Sequence, residues 1–361
     1  MRFRGVILEA ERQIAAGIRP SIQITVEWNG KRVLEFARGA GATTDSNYLL
    51  WSTTKPFVAV TLLQLIEAGR ASLEDRIEKF VPEFGTKGKE PATLLHVLTH
   101  RGGFPDVSPD RIAWLSSSAR DWHATLKHVC ELPATWAPGT ARGYHPFSGW
   151  HVLGEVIQRI DDRPLSESVR RRVLEPCGIA VDGFSLGEPE SLSSAPLPVA
   201  SHPGRGPEGE EEAAFWNDPA THSAVIPGAG GISRAGEVVK LYRALLRGGA
   251  GENGRILSPS MTRAATFPHV AGFPDRTLLA DIPWGLGFHL RNALPGPSTF
   301  GATATPGSFG HGGHFLVNVA WADPGKNLAA CILANGLTEV VLGSVSVAAL
   351  SQAIHDSVEG D

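Results

Sequence analysis

The stretch LLWSTTKPFVAVTLLQLIEAGR, residues 49–70, sets a serine and a lysine at the mouth of an apolar helix. Ser52 and Lys55 are three positions apart, about one helical turn, so their side chains stand on one face within reach of each other. A serine hydroxyl is a poor nucleophile until something takes its proton. A lysine does this when burial or a neighbouring cation lowers its pKa. A helix N-terminus at the serine adds the positive end of the dipole, which favours a developing oxyanion. Pro56 suits the first turn, where a missing backbone N–H costs little. S-x-x-K alone is a weak signal. Its setting, after Trp51 and ahead of the run VAVTLLQLI, makes it a stronger one.

On the N-terminal side, SIQITVEW alternates apolar and polar residues, Asn29-Gly30 makes a turn, and KRVLEFARG follows. Asn-Gly between two alternating runs predicts a hairpin. The leading segment MRFRGVILEAERQIAAGIRP has too short an apolar run for a secretory signal and reads as an amphipathic helix. On the C-terminal side, residues 70–220 read as helical pieces (TLLHVLTH, RDWHATLKHVCELP, GWHVLGEVIQRI, LSESVRRRVLEPCG) separated by loops, and the acidic SLSSAPLPVASHPGRGPEGEEE reads as a solvated loop. Beyond residue 225, Ser233 is a candidate cap for a helix carrying Val238, Val239, Leu241, Tyr242, Leu245 and Leu246. WGLGFHL, HFLVNVAWADP and KNLAACILANG read as strands, and a last helix spans about 338–356. The two ends are expected to share one antiparallel sheet. This predicts an α+β fold of α/β sandwich type, with an antiparallel sheet flanked by N- and C-terminal helices. The domain assignment is 1–69 with 221–361 for the sheet domain, and 70–220 for a mainly helical insert.

Two further segments bring chemistry. WAPGTARGYHPFSGWHVLGEVI has a turn at Pro138-Gly139-Thr140, then Tyr144-His145-Pro146, then a helix. SFGHGGHFLVNVAW has His311-Gly312-Gly313 leading into a strand. Taken in order, S-T-T-K, TLLHVLTHRGGFPD, PGT…YHP…GW…LGEVI, PGAGGISRAGEVVKLYRALL, WGLGF and GHGG, the chain resembles the serine β-lactamase and penicillin-binding-protein superfamily, and within it the class C-like esterases. The resemblance runs from about residue 8 to 350. It implies Ser52 as the acylated nucleophile, Lys55 as its hydrogen-bonded proton acceptor, and Tyr144 as general acid/base for the leaving group and later for water. It implies the backbone N–H groups of Ser52 and His314 as the oxyanion hole, where one donor is worth about 3–4 kcal/mol. His145, His311, Gly312, Gly313, Trp51 and Trp150 are the candidates for substrate contact. The His314 imidazole either points away from the cleft or narrows the acyl pocket.

Departures from the family pattern narrow the substrate. Pro146 stands where the lactamases have an asparagine, so the side-chain amide that holds a substrate amide is missing. His311 and Gly312 replace the lysine and threonine of K-T-G, removing a fixed cation and a hydroxyl that grip a carboxylate. Both changes point to ester hydrolysis through an acyl-enzyme. Transfer of the acyl group to an alcohol or amine is the alternative. A D-Ala-D-Ala peptidase, a β-lactamase and a non-catalytic binding member are more distant ones.

Other signals are set aside. Gly183-Phe184-Ser185-Leu186-Gly187 spells G-x-S-x-G, but no helix-forming sequence follows it. His96 and His100, four apart on an expected helix, have Val97 where a metalloprotease needs glutamate. Cys130, Cys177 and Cys331 are too far apart for a zinc site or a disulfide framework, and read as reduced, buried thiols. The 361 residues carry 33 basic and 37 acidic side chains, a net charge of −4, with no basic face for nucleic acid or membrane. A small-molecule ester or acyl compound is the expected partner, the oligomeric state is open, and no metal or organic cofactor is implied. The thiols and the absence of a secretory signal point to a cytoplasmic location.

Overall fold

The computed structural model describes residues 2–106, 118–270, 272, 274–291 and 298–359. Asn29 and Gly30 both take positive φ, 51° and 76°, and pair Trp28 with Lys31 in a two-residue hairpin. That conformation is the one whose twist suits flanking strands, and it is why Asn-Gly is read as a hairpin. The hairpin strands Ser21–Trp28 and Lys31–Gly39 join a six-stranded sheet. Its order continues through Leu328–Ala334, Val319–Asp323, Phe309–Gly312 and His289–Leu290, antiparallel throughout. The two ends of the chain therefore share one sheet, as the sequence predicts.

Both faces of the sheet are covered. Ile22, Ile24 and Val26 face a cluster built with Val6 and Ala10 of the helix Arg4–Ala15 and with Val347, Leu350 and Ile354 of the helix Val340–Glu359. The alternate residues of the same strand are polar but buried too. The helix Ala235–Leu246 lies over them: Gln23 accepts the Ala235 N–H, and Glu27 pairs with Arg243 at 3.1 Å. Alternation thus marks two buried faces of different chemistry.

The serine helix, Lys55–Glu67, is buried almost all round. It packs in one apolar cluster with the helices Trp122–Glu131, Ser148–Asp161 and Ala235–Leu246. Small sheets stitch the chain around it. Tyr48–Leu49 pairs with Gly231–Ser233, which also pairs with Phe184–Leu186, while Ala200–Ser201 pairs in parallel with Gly336–Leu337. Segment 70–220 is therefore tied to the sheet-bearing segments at two strand pairings.

Several expectations are corrected. Ser233 lies in a strand and donates to the Gly183 carbonyl; the helix starts at Ala235 without a side-chain cap. Of WGLGFHL only His289–Leu290 is strand, because Gly287 turns the chain at φ 82°. HFLVNVAWADP opens with a short 3-10 turn, His314–Leu316, before the strand Val319–Asp323. The acidic run is not a loop: from Gly206 it forms the helix Gly206–Asn217, with Glu212 buried. No helix among the described residues is long and apolar enough to cross a membrane.

A side chain at Gly287 would put its Cβ 2.5 Å from the Ala59 Cβ and 3.0 Å from the Trp150 ring, on a backbone already left-handed. At Gly30 the nearest atom is 3.6 Å away. Gly287→Ala should therefore cost about 2–4 kcal/mol by urea denaturation, and Gly30→Ala only about 1 kcal/mol. Equal losses would show that the helix face beside Gly287 yields freely.

Candidate active site

Ser52 sits in a 3-10 turn, Trp51–Thr54, which runs into the α-helix at Lys55. The turn is clamped at both ends. Leu50 N–H donates to Gly231 O at 2.7 Å, and Thr54 Oγ1 accepts the Gly231 N–H at 3.0 Å. Trp51, just before the serine, is left-handed at φ 43°. A bulky residue there is strained and stays only because its surroundings hold it; its side chain is wedged in the core.

Lys55 is fully enclosed, at 0% exposure. Its Nζ donates to Ser52 Oγ at 2.8 Å and to Gly228 O at 2.6 Å. The Nζ also lies 5.2 Å from the centre of the Tyr144 ring and 5.6 Å from that of Trp150. Gly228 has room for no side chain: a Cβ would come 2.5 Å from Pro146 O and 3.2 Å from Lys55 Nζ. Tyr144 arrives from the loop before the helix Ser148–Asp161, and its hydroxyl lies 2.8 Å from Ser52 Oγ. A phenol and an amine thus meet on one partly exposed serine hydroxyl.

The Tyr144 loop is held by residues that carry no motif of their own. Asp275 accepts the Tyr144 N–H at 3.0 Å and also the N–H groups of Thr277 and Leu278. Asp106 accepts from the Ser148 N–H and hydroxyl, fixing the start of the next helix. His100 Nδ1 accepts the His145 N–H at 3.2 Å, and its ring lies 4.7 Å from that of Tyr144. His96 and His100 do not share a helix face: the helix ends at Leu98 and His100 is left-handed at φ 57°. His100 packs against the Tyr144 ring and helps hold its loop.

Across the serine, His311 and Gly312 end the strand Phe309–Gly312, rather than leading into one. Gly313 packs against the serine segment, where a Cβ would lie 3.2 Å from Leu50 O. Asn318 fastens the two together. Its Nδ2 donates to Leu49 O at 2.7 Å, its Oδ1 accepts the Ala334 N–H, and its carbonyl accepts the Gly313 N–H. The turn carrying His314 is thereby set beside the turn carrying Ser52. The His314 imidazole faces away toward Glu212, with Nε2 2.8 Å from Oε1.

Four candidates for substrate contact are closed in. His145 is 0% exposed, Trp51 and Trp150 are 1%, and His311 is 3%. His145 Nε2 accepts the Phe104 N–H, so this ring braces the Tyr144 loop from behind. Trp51 and Trp150 belong to the apolar clusters on opposite sides of the serine turn. They form packed walls behind the serine turn. His311 Nδ1 lies 2.8 Å from its neighbour's carbonyl, Gly312 O. Ser185 of the G-x-S-x-G sequence is buried in a strand, its hydroxyl accepting the Glu188 N–H. The three cysteines are free and buried, and burial pushes the Cys130 thiol up to about 11.

This arrangement of a serine, an enclosed lysine and a tyrosine on an α/β sandwich defines a serine hydrolase. The Beta-lactamase family model matches residues 9–350, and the chain belongs to that family. Esterase EstB of Burkholderia gladioli is 27% identical over 339 residues, which cover 84% of this chain and 81% of EstB. A putative D-alanyl-D-alanine carboxypeptidase of Escherichia coli K12 is 24% identical, over 81% of this chain and 70% of its own. Among solved structures, a penicillin-binding-protein homologue from Caulobacter crescentus superposes with a TM-score of 0.77 at 26% identity, covering 99% of this chain and 97% of the other. EstA from Arthrobacter nitroguajacolicus Rue61a, at 23% identity, shares the fold with a TM-score of 0.79 over 99% and 97%.

Four buried histidines and the half-buried His289 are held neutral. Burial pushes His145 down to about 3 and His151 and His289 down to about 4. His100 and His311 lie well below the usual value, through burial first and then nearby cationic groups, Lys55 among them. Below pH of about 6.5 the unfolded chain binds protons that the folded chain refuses, so stability falls as the pH drops through the window from 6.5 to about 4. Between pH 7 and 5.5, before most carboxylates titrate, each such histidine should remove about 1 kcal/mol. Urea midpoints measured across that range should fall steadily; a flat profile would mean that the imidazoles accept protons in place.

Proposed function

We propose that this chain hydrolyses carboxylic esters through an acyl-enzyme on Ser52. The observation that carries the reading is the Ser52 hydroxyl lying 2.8 Å from both Lys55 Nζ and Tyr144 Oη. In this reading Ser52 Oγ attacks the ester carbonyl and its proton passes to Lys55. The oxyanion that forms is held by the N–H groups of Ser52 and His314. Tyr144 protonates the departing alkoxide, and the alcohol leaves. Water then attacks the acyl carbonyl and gives a proton to Tyr144. The carboxylic acid departs as Ser52 recovers its proton from Lys55. No step calls for a metal or a cofactor.

Three further observations support an ester in place of an amide or a β-lactam. Pro146 has no side-chain amide beside Tyr144. The strand residues His311 and Gly312 present neither a lysine nor a hydroxyl, and His311 is held neutral by burial. EstB, the relative at 27% identity, is an esterase by name. The strand end His311–Gly313 is the wall assigned to the ester carbonyl, with Gly312 packed against Leu316 and Gly313 against Asn318 and Leu50. The domain reading, a helical insert at 70–220 within a sheet domain of 1–69 and 221–361, places Tyr144 on the insert and Ser52 on the sheet domain, so the cleft lies between them.

The expected outcome is turnover of short p-nitrophenyl esters that Ser52→Ala lowers by about 10³-fold or more, with Tyr144→Phe and Lys55→Ala each lowering kcat by about 10²–10⁴. A fluorophosphonate should add one adduct at Ser52 by mass spectrometry. Faster turnover of a chromogenic cephalosporin than of any ester would reassign the substrate, and product diverted to an added amine would make the enzyme an acyltransferase. Ester turnover that survives Ser52→Ala would end the proposal.

A further inference from the structure

The helix Gly206–Asn217 takes no part in the chemistry proposed above, yet it reaches the turn that carries His314. Glu212, in its C-terminal half, is 7% exposed. Its Oε2 accepts from the Arg205 guanidinium, and its Oε1 lies 2.8 Å from His314 Nε2. The second contact is a close one between a carboxylate oxygen and an imidazole nitrogen. Arg205 also lies over the neighbouring ring, its guanidinium carbon 4.4 Å from the centre of Phe315, and the Phe315 and His314 rings are 3.8 Å apart. Four side chains, one from the helix, one from the residue just before it and two from this turn, are thus packed on one another.

The turn needs holding. Phe315 (φ 46°, ψ 30°) and Leu316 (φ 55°) are left-handed without being glycine. Two consecutive residues of this kind persist only where the surroundings fix them. Arg19, itself buried, donates to the carbonyls of Leu316 and Val317 from below, and Asn318 takes the Gly313 N–H. Glu212 and Arg205 grip the side chains of the same turn.

We infer that Glu212, backed by Arg205, is a positioning residue for the oxyanion hole: it holds the His314 side chain and so sets the direction of the His314 N–H. This rests on the acyl-enzyme reading. Oxyanion donors are effective because they are oriented before charge develops and need no reorganisation during the reaction. A His314 released from Glu212 would still have its N–H, but on a turn free to relax out of its left-handed form. The loss falls on the tetrahedral oxyanion, which draws on that N–H far more than the neutral ester does. It therefore appears in kcat and leaves KM nearly unchanged.

The full-length chain tests this with p-nitrophenyl butyrate and with an alkylboronic acid, to whose boron Ser52 Oγ adds so that a boron-bound oxygen occupies the oxyanion position. Glu212→Ala and His314→Ala should each lower kcat about 10- to 100-fold, keep KM within about threefold, and weaken boronate inhibition by the same factor as kcat/KM. Because both break one contact, the double variant should be no slower than either single variant. The isosteric Glu212→Gln, which removes the charge but keeps the volume, covers the case in which truncation unfolds the helix, and should lie between wild type and Glu212→Ala. A lowered melting temperature with unchanged kcat, unchanged boronate affinity, or multiplying losses in the double variant would each overturn the inference. A wild-type protein with no Ser52-dependent turnover and no boronate binding would instead overturn the acyl-enzyme reading, and this inference with it.

Discussion

An amine buried without exposure to water must place its polar hydrogens on protein atoms. Lys55 meets this constraint by reaching Ser52 Oγ on one side and Gly228 O on the other. Much of the surrounding structure follows from that pair of contacts. Gly228 has to lack a side chain because Pro146 O and Lys55 Nζ occupy the space one would need. Pro146 in turn lies two residues from Tyr144, whose hydroxyl completes the environment of the serine. The three residues of the site are thus joined through a backbone carbonyl and a glycine as well as by their own hydrogen bonds.

Around this centre the protein uses backbone strain and polar anchors together. Trp51, His100, Phe315 and Leu316 are all left-handed, all non-glycine and all next to the site. Each is held by packing or by hydrogen bonds that come from elsewhere in the chain. Asn318, Asp275 and Asp106 act as the anchors, each a side chain satisfying backbone groups of a neighbouring segment. A site assembled from loops needs such anchors, because loops lack the repeating hydrogen bonds that make helices and strands rigid.

The imidazoles around the serine are enclosed and neutral, so they shape the cleft by volume and by hydrogen bonding instead of by charge. His145 illustrates the difference between a position in sequence and a role. It follows the tyrosine of a recognisable motif, yet its ring points into the protein and braces Phe104. Trp51 and Trp150 do the same for the apolar clusters on either side of the serine turn.

By itself the sequence determined the local elements whose signals are short in range. These include the Asn29-Gly30 hairpin, the amphipathic first helix, the apolar helix behind Ser52 and the one-turn spacing that puts Lys55 beside it. The order of its motifs also marked Tyr144 as a partner of Ser52, although 92 residues separate the two. Tertiary structure alone decided which aromatic and imidazole rings face inward, and which acidic residues face solvent. The run containing Glu212 is charged enough to read as a loop, yet it forms a helix that buries Ala213, Phe215 and Trp216 in an apolar cluster, with Glu212 meeting Arg205 and His314 away from water. Asp106, Asp275, Asn318 and Gly228 carry no mark of their role in the sequence. Their partners are backbone groups far along the chain, and a backbone N–H or C=O has the same chemistry at every residue, so only the folded arrangement shows which one each side chain meets.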